Sequence, residues 1–351
     1  MAEILFDAPV APDTLTRYIE QYVPVPATNT LTGLVNVNYV PDDKVRWGTI
    51  TRKNRMAKYR AWDGAIARAV RDTAAEQYVS LAPFSNSQVT GEYETLKKEY
   101  ARMAGGNTAV LADAIYNDTE ALVASMWNRV EKGLGEVLAT GLFNVNENRT
   151  MYQADYALQA ANKPTAAIAW SNATTALAAD DLRAYRDRFI ASAGVAPGRI
   201  ITSNAVISAL LRNAQIVGEA LGTTSGRTRI TRAELNAWLA SENLPAIVTE
   251  VEGVMWNDET GADERVLPQD RLIMTPTNLG DALEFTFGLS VSAMKLINSN
   301  RTDMTFTDGG ANRIVGMVIE DGPPFREFVY VDAVGIPVMT APQRVLVADV
   351  L

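Results

Sequence analysis

The sequence predicts an α+β protein. Three observations carry that reading: one long run of helical apolar periodicity in the first half, β-leaning segments on either side of it, and a strand-rich C-terminal stretch. With 351 residues the chain exceeds what one compact core usually supports, so two domains or one elaborated domain is expected. Its 47% of hydrophobic residues is ample for burial.

Residues 1 to 41 contain Pro9, Pro12, Pro24, Pro26 and Pro41, a short amphipathic stretch with Leu15, Tyr18, Ile19 and Tyr22 on one face, and then the β-leaning run Leu34 to Val40. This reads as an extended N-terminal arm, too long to bury much against itself, which must lie along the rest of the chain or along another subunit. From Asp42 to about Thr90 the pattern is strand, long polar excursion and returning strand (Gln77 to Phe84), with Trp47 and Trp62 set among arginines. That is a long β-flap, and because an isolated hairpin is marginal in water, a flap of this size implies a partner surface. A helix within it, from Asp63 to Gln77, stays open.

Thr90 reads as the N-cap of a helix through Glu92, Glu94, Leu96 and Tyr100, ended by Gly105-Gly106. The strongest signal follows. Leu111, Ile115, Leu122, Met126, Val130, Leu134, Leu138 and Leu142 fall at helical spacings, which predicts a helix from about Asn107 to Thr140 with Gly141 as its C-terminal stop. At 1.5 Å per residue it would be roughly 50 Å long, a strut more than an ordinary domain helix. Gly133 and Gly135 weaken it by roughly 1 kcal/mol each, so packing along the apolar stripe has to hold it.

Beyond Asn144 come alanine-rich, strand-like segments, a helix from Asp180 to Ala193 with Leu182, Tyr185 and Phe189 inward, a strand Arg199 to Thr202, and a helix Asn204 to Asn213. Residues 246–274 read as a hairpin and a strand, built from Ile247 to Val251, a turn Asn257 to Gly261, and Leu272 to Met274. Three further strands, Ile314 to Ile319, Phe328 to Val334 and Arg344 to Val350, close the chain.

The chain contains no histidine and no cysteine. That removes the side chain that titrates near neutrality and binds metals most often, and the one that supplies thiolates. Carboxylate, Ser-Lys or phosphoryl-transfer chemistry stays open, but the balance shifts away from catalysis. Disulfides are excluded, so durability must come from packing or association. The N-terminus carries no basic region before an apolar stretch, and no apolar run approaches the ~20 residues of a membrane helix, so a soluble protein made inside the cell is expected, with no membrane partner.

Net charge is −9, yet Lys44, Arg46, Arg52, Lys53, Arg55, Lys58, Arg60, Arg68 and Arg71 crowd into one stretch against the single acid Asp63. Three readings stand: a nucleic-acid arm on an acidic body, a basic extension that lies on a neighbouring subunit's acidic surface, or a solvated loop.

No motif carries catalysis, a cofactor or a metal. Gly222 to Thr228 lacks the lysine and the glycine spacing of a phosphate loop, and Gly133-Leu134-Gly135 lies in a helix where a dinucleotide turn would need a strand before it. Ser203 has neither flanking glycines nor a histidine to activate it and reads as an N-cap. Asp180-Asp181 and the cluster Asp258, Glu259, Asp263 and Glu264 fit no Ca²⁺ loop and read as helix capping and a solvated hairpin tip. Trp127 and Trp170 read as core or interface aromatics.

The order of these parts resembles the major capsid proteins of tailed bacteriophages with the fold named for phage Hong Kong 97, and within them the lambda-type capsid family. Val254-Met255-Trp256, a polar turn through Gly261, and then Val266-Leu267-Pro268-Gln269-Asp270 leading into the strand Arg271 to Met274 are similar to that family's hairpin and apolar-Leu-Pro-x-Asp segment. Gly288 follows at a similar distance. Pro337-Val338-Met339 and Val345 to Asp349 resemble its closing proline and hydrophobic strand.

The resemblance implies an N-terminal arm (1–41), an extended loop (42–90) that reaches over a neighbouring subunit through Arg46, Trp47, Arg52, Lys53, Arg55, Lys58 and Arg60, and a peripheral domain (91–175) with a spine helix at about 107–142. It implies an axial domain (176–299) around the five- and sixfold axes, and return strands (300–351) that complete the peripheral domain. The implied function is a head protein that self-assembles as hexamers and pentamers into an icosahedral shell around double-stranded DNA, bound without sequence specificity. The implied partners are other copies of itself and the portal, scaffold and decoration proteins of the same phage. The implied places are the virion and, during assembly, the bacterial cytoplasm. An encapsulin-type compartment shares the fold, and a carboxylate-based hydrolase or nucleic-acid-binding module is the alternative from another class.

Overall fold

The computed structural model describes the chain apart from residues 1–2, 7, 9, 51–73, 94–95, 98–99, 101–107, 148, 223–225, 259, 300–313 and 324–325, with backbone alone at 3, 46–50, 74–77, 108–111 and 248–250. It divides into two compact units, residues 1–45, 80–134 and 285–337 in the first and 46–79, 135–284 and 338–351 in the second. These limits fall at other places than the five segments expected from sequence, because each unit is assembled from stretches far apart in the chain.

The first unit is built on a six-stranded sheet. Its centre is β15 (Arg326–Met339), flanked over Arg326–Asp332 by β14 (Val315–Asp321) on one side and over Glu327–Gly335 by β5 (Ala82–Thr90) on the other, both antiparallel. The order continues outward from β14 to β1 (Glu3–Ile4), and from β15 through β13 (Leu283–Gly288) to β2 (Asn36–Tyr39). The N-terminal region is therefore integrated into this sheet through β1 and β2, and lies along its own chain where it is described.

Helix α1 (Pro12–Tyr22) explains why. Pro12 fits the first turn and Pro24 stops the helix two residues past its end. Leu15 and Ile19 are fully buried, and together they contribute about 3–6 kcal/mol of burial. The strand beneath them carries Gly316, where a Cβ would lie 2.6 Å from Ile19 Cδ1. Gly316 N–H donates to Thr16 Oγ1 at 3.3 Å, and that hydroxyl donates back to the Gly316 carbonyl at 3.2 Å. The helix is thus pinned to the sheet by polar as well as apolar contacts.

Helix α2 (Thr108–Thr140) has 33 residues, close to the extent expected for the spine. Gly141 takes φ +74° and its N–H closes the last turn on the Val137 carbonyl at 2.8 Å, the left-handed stop that glycine adopts without strain. Leu122, Met126, Val130, Leu134 and Leu138 are buried, Ile115 is half-buried, and Leu111 lies where backbone alone is described. The buried stripe is wider than the leucines predict and includes Val123, Trp127, Glu131 and Val137. Residues before it at 92–93, 96–97 and 100 are helical.

The second unit centres on a four-stranded sheet ordered β16 (Leu346–Asp349), β12 (Arg271–Thr275), β8 (Arg199–Thr202), β9 (Ile247–Glu250), antiparallel except for the β8 and β9 pair. The closing strand β16 therefore joins β12 in this unit. Helices α3 (Ala178–Ala193), α4 (Asn204–Leu210), α5 (Ala214–Leu221) and α6 (Arg232–Ser241) belong to this α/β unit. Their apolar faces share one core with the sheet, including Trp170, Leu182, Phe189, Ile200, Leu239 and Leu346.

The helix expected over Asn204 to Asn213 ends early, since Asn213 caps a separate helix, α5, by accepting the Ile216 N–H at 3.2 Å. Two hairpins complete this unit, β6 (Leu142–Glu147) with β7 (Thr150–Asp155) and β10 (Val254–Asn257) with β11 (Ala262–Arg265). Ile247 to Glu250 is thus not an arm of the 246–274 hairpin but the parallel partner of β8. A further two-stranded ribbon pairs β3 (Lys44–Ile50) with β4 (Ala74–Ser80).

Candidate assembly surfaces

In the first unit a carboxylate ties the N-terminal segment to the spine. Glu131 of α2 is buried, and it accepts the Leu31 N–H at 2.8 Å, the Thr32 N–H at 2.7 Å and the Thr32 hydroxyl at 2.7 Å. Three donors satisfy a charge that burial alone would penalise by several kcal/mol. Tyr18 donates to Glu120, which pushes the phenol up to about 12, and its ring lies 4.4 Å from that of Tyr116 and 5.8 Å from that of Tyr22. Trp127 stands edge-on to Phe287 at 5.9 Å, within a cluster completed by Phe84 and Phe285.

The ribbon stands where the flap was expected, but the returning strand expected over Gln77 to Phe84 is split between β4 and β5. β4 stops at Ser80, and Leu81 turns inward, its N–H donating to the Asp43 carbonyl at 3.0 Å, before β5 leaves to pair with β15. Val45 and Leu81 are buried at this foot. Gly288 is also here, and a Cβ on it would lie 2.2 Å from Leu81 Cδ1. Arg46 and Trp47 belong to β3 with backbone alone described, while Arg52, Lys53, Arg55, Lys58 and Arg60 lie outside the described residues.

In the second unit α3, α5 and α6 are joined by charge. Arg183 pairs with Glu219 at 2.5 Å, Glu242 at 2.8 Å and Asp180 at 3.1 Å, and its guanidinium lies 5.9 Å from the centre of the Trp238 ring. Hydrogen bonding to Arg183 holds the Glu242 carboxyl below the ordinary range. Arg227 grips Glu234 with two bonds of 2.8 and 3.0 Å, and Glu234 also closes a capping box with Thr231. Arg227 first, then Thr231, holds that carboxyl down at about 2. At Glu252 burial works to raise the pKa, but the Asn204 N–H and Arg265 outweigh it and keep the group low.

Several residues singled out from sequence take structural roles. Ser203 caps α4, accepting the Val206 N–H at 3.3 Å and donating to the Gln269 carbonyl at 2.5 Å. Asp180 and Asp181 do not cap α3; they occupy its first turn, where Asp181 accepts the Trp170 indole N–H at 2.9 Å. Trp127 and Trp170 are buried. Among the described residues no cluster of acidic side chains could hold a metal ion, and no helix is long and apolar enough to cross a membrane.

What the chain does present is exposed apolar side chains on several elements. Tyr93, Leu96 and Tyr100 are exposed at helical spacing, Tyr78 is exposed on the ribbon, Met151 on the β6/β7 hairpin, and Val254 and Trp256 on the β10/β11 hairpin. Exposed large apolar side chains that recur on one helix face or one hairpin suit surfaces that other chains cover. Fold and surface together define a structural protein built to associate.

The comparisons say of which kind. The family model described as Phage major capsid protein E matches residues 11–289. The chain belongs to this family: it is a phage major capsid protein, a structural component of the virion and not an enzyme. Among solved structures it is similar to a protein assigned to the capsid of a prophage of E. coli CFT073, at 14% identity with a TM-score of 0.62 and 100% of both chains covered. It is also similar to a phage-related protein of Bordetella bronchiseptica RB50, at 12% identity, a TM-score of 0.53 and 97% of both chains. The capsid of Myoviridae phage XM1 matches at 10% identity and a TM-score of 0.51 over 93% of this chain and 92% of that one. The fold is that of the Hong Kong 97 phage capsid. No curated protein matches in sequence.

Proposed function

We propose that this capsid protein assembles as hexamers and pentamers into an icosahedral head around double-stranded DNA, with the ribbon and its basic tip lying on the acidic surface of a neighbouring subunit. The observation that carries the reading is the ribbon itself: two strands with exposed Tyr78 and a basic connecting stretch, on a chain of net charge −9. A cationic extension and an acidic body on the same chain are complementary from one copy to the next, which favours heterologous contacts that close rings. Residues 176–299, most of which lie in the second unit, would gather around the ring axes, and 91–175 with the spine helix, together with 300–351, would form the periphery.

An acidic chain suits a container that holds DNA without gripping it, since dense phosphate contacts would impede release. A portal, a scaffold and a decoration protein would act with it during assembly in the bacterial cytoplasm. Sedimentation of the purified chain tests the assembly: particles in the megadalton range that contain DNA when recovered from infected cells are expected. A chain that stays monomeric under every assembly condition would overturn the reading, and particles filled with a packaged enzyme would replace the head with a compartment.

A further inference from the structure

We infer that the exposed face of the β10/β11 hairpin seats on residues 226–232 of a second copy of this chain, with Trp256 against Arg229 and with Asp258 and Asp263 supplying the charge. This rests on the ring assembly proposed above. Trp256 is 62% exposed and Val254 50%, and Asp263, directly across from Trp256 in the pair, shares that face. The hairpin is braced on both faces. Val266 N–H closes on the Gly253 carbonyl at 2.9 Å, the Asn257 amide donates to Glu264 at 2.8 Å, and Arg265 is engaged by Glu252. Asp258 and Asp263 are exposed and make no ion pair among the described residues.

The complementary surface lies in the same unit of the chain. Of the three arginines in 226–232, Arg227 is committed to Glu234 and Arg232 donates to the Ile247 carbonyl at 3.2 Å, while exposed Arg229 makes no ion pair among the described residues. Its backbone is fixed on the C-terminal side, because Ile230 is buried with its N–H on the Leu211 carbonyl at 3.0 Å and Thr231 caps α6. A free guanidinium on a fixed backbone and an exposed indole flanked by free carboxylates fit as cation–π and ion pair at once. Tryptophan and arginine are also the side chains that most often dominate interfaces. The two surfaces differ, so the contact runs head to tail, the kind that builds a ring when its rotation closes.

The test is charge reversal on the full chain, with shells scored by sedimentation and electron microscopy and unassembled subunits by thermal unfolding. Asp263→Arg and Arg229→Asp are each expected to abolish the megadalton particle while the subunit melts as wild type, and the double variant to restore it. Should a reversal lower the melting temperature, Trp256→Ser, a neutral change on an exposed strand position, carries the test and is expected to abolish the particle likewise. Either reversal assembling as wild type overturns the contact, as does failure of the double variant to rescue two blocked singles. A wild-type chain that never assembles overturns the ring reading itself, whereas normal wild-type shells beside unaffected variants overturn this contact alone.

Discussion

Glu131 shows how much one side chain carries. Its carboxylate joins the spine helix to a segment about 100 residues earlier through two backbone amides and a hydroxyl. Glu131→Gln keeps the shape but places an amide donor against donors, and is expected to cost on the order of 1–3 kcal/mol in denaturant unfolding of the unassembled subunit. Gly135 makes the opposite case. Judged by helix propensity, Gly135→Ala should stabilise α2 by about 1 kcal/mol. A Cβ there would lie 2.3 Å from the Val266 carbonyl oxygen, a backbone atom that cannot swing away. The variant is therefore expected to be less stable by about 1–3 kcal/mol, the usual cost of overpacking, and a higher melting temperature would refute the close-approach explanation.

Among the elements, α6 ties its stability to pH. Glu234 has a folded-state pKa of about 2, below the ordinary glutamate value of about 4.3. A depressed carboxyl contributes stability that is present above the unfolded value and is lost as pH falls through the folded one. The contribution is expected to fade between about pH 4.3 and 2, and Glu234→Gln should flatten that part of an acid-unfolding curve by removing the contribution that the ionised group makes at neutral pH. The capping box behind it, Thr231 with Glu234 three residues on and ahead of apolar Leu235 and Leu239, is among the features that sequence reasoning missed. The spine helix was legible, since its apolar period runs for many turns. Ile247 to Glu250 was mistaken for a hairpin arm because an apolar run of that length reads the same whether its partner is near or far in sequence.

For the whole molecule, assembly governs the expectations. Replacing Arg52, Lys53 and Arg55 by Glu is expected to leave the subunit folded and to impair shell formation; normal shells by electron microscopy would sink the idea of a charge-guided ribbon. With no cysteine and no histidine, particle stability is expected to be indifferent to reductant and to owe nothing to histidine titration between about pH 6 and 8. A reductant-dependent change in particle mass would contradict this.

The sequence by itself determined the α+β class, the long helix with its glycine stop and the absence of thiol and imidazole chemistry, all of which depend on local periodicity or on composition. The tertiary structure alone decided that the N-terminal segment folds into its own sheet, that β16 closes the second unit, and that Glu131, Gly135 and Gly316 are points of close approach. Each of those depends on a partner tens to hundreds of residues away, and a contact across such a separation leaves no periodic trace in either segment.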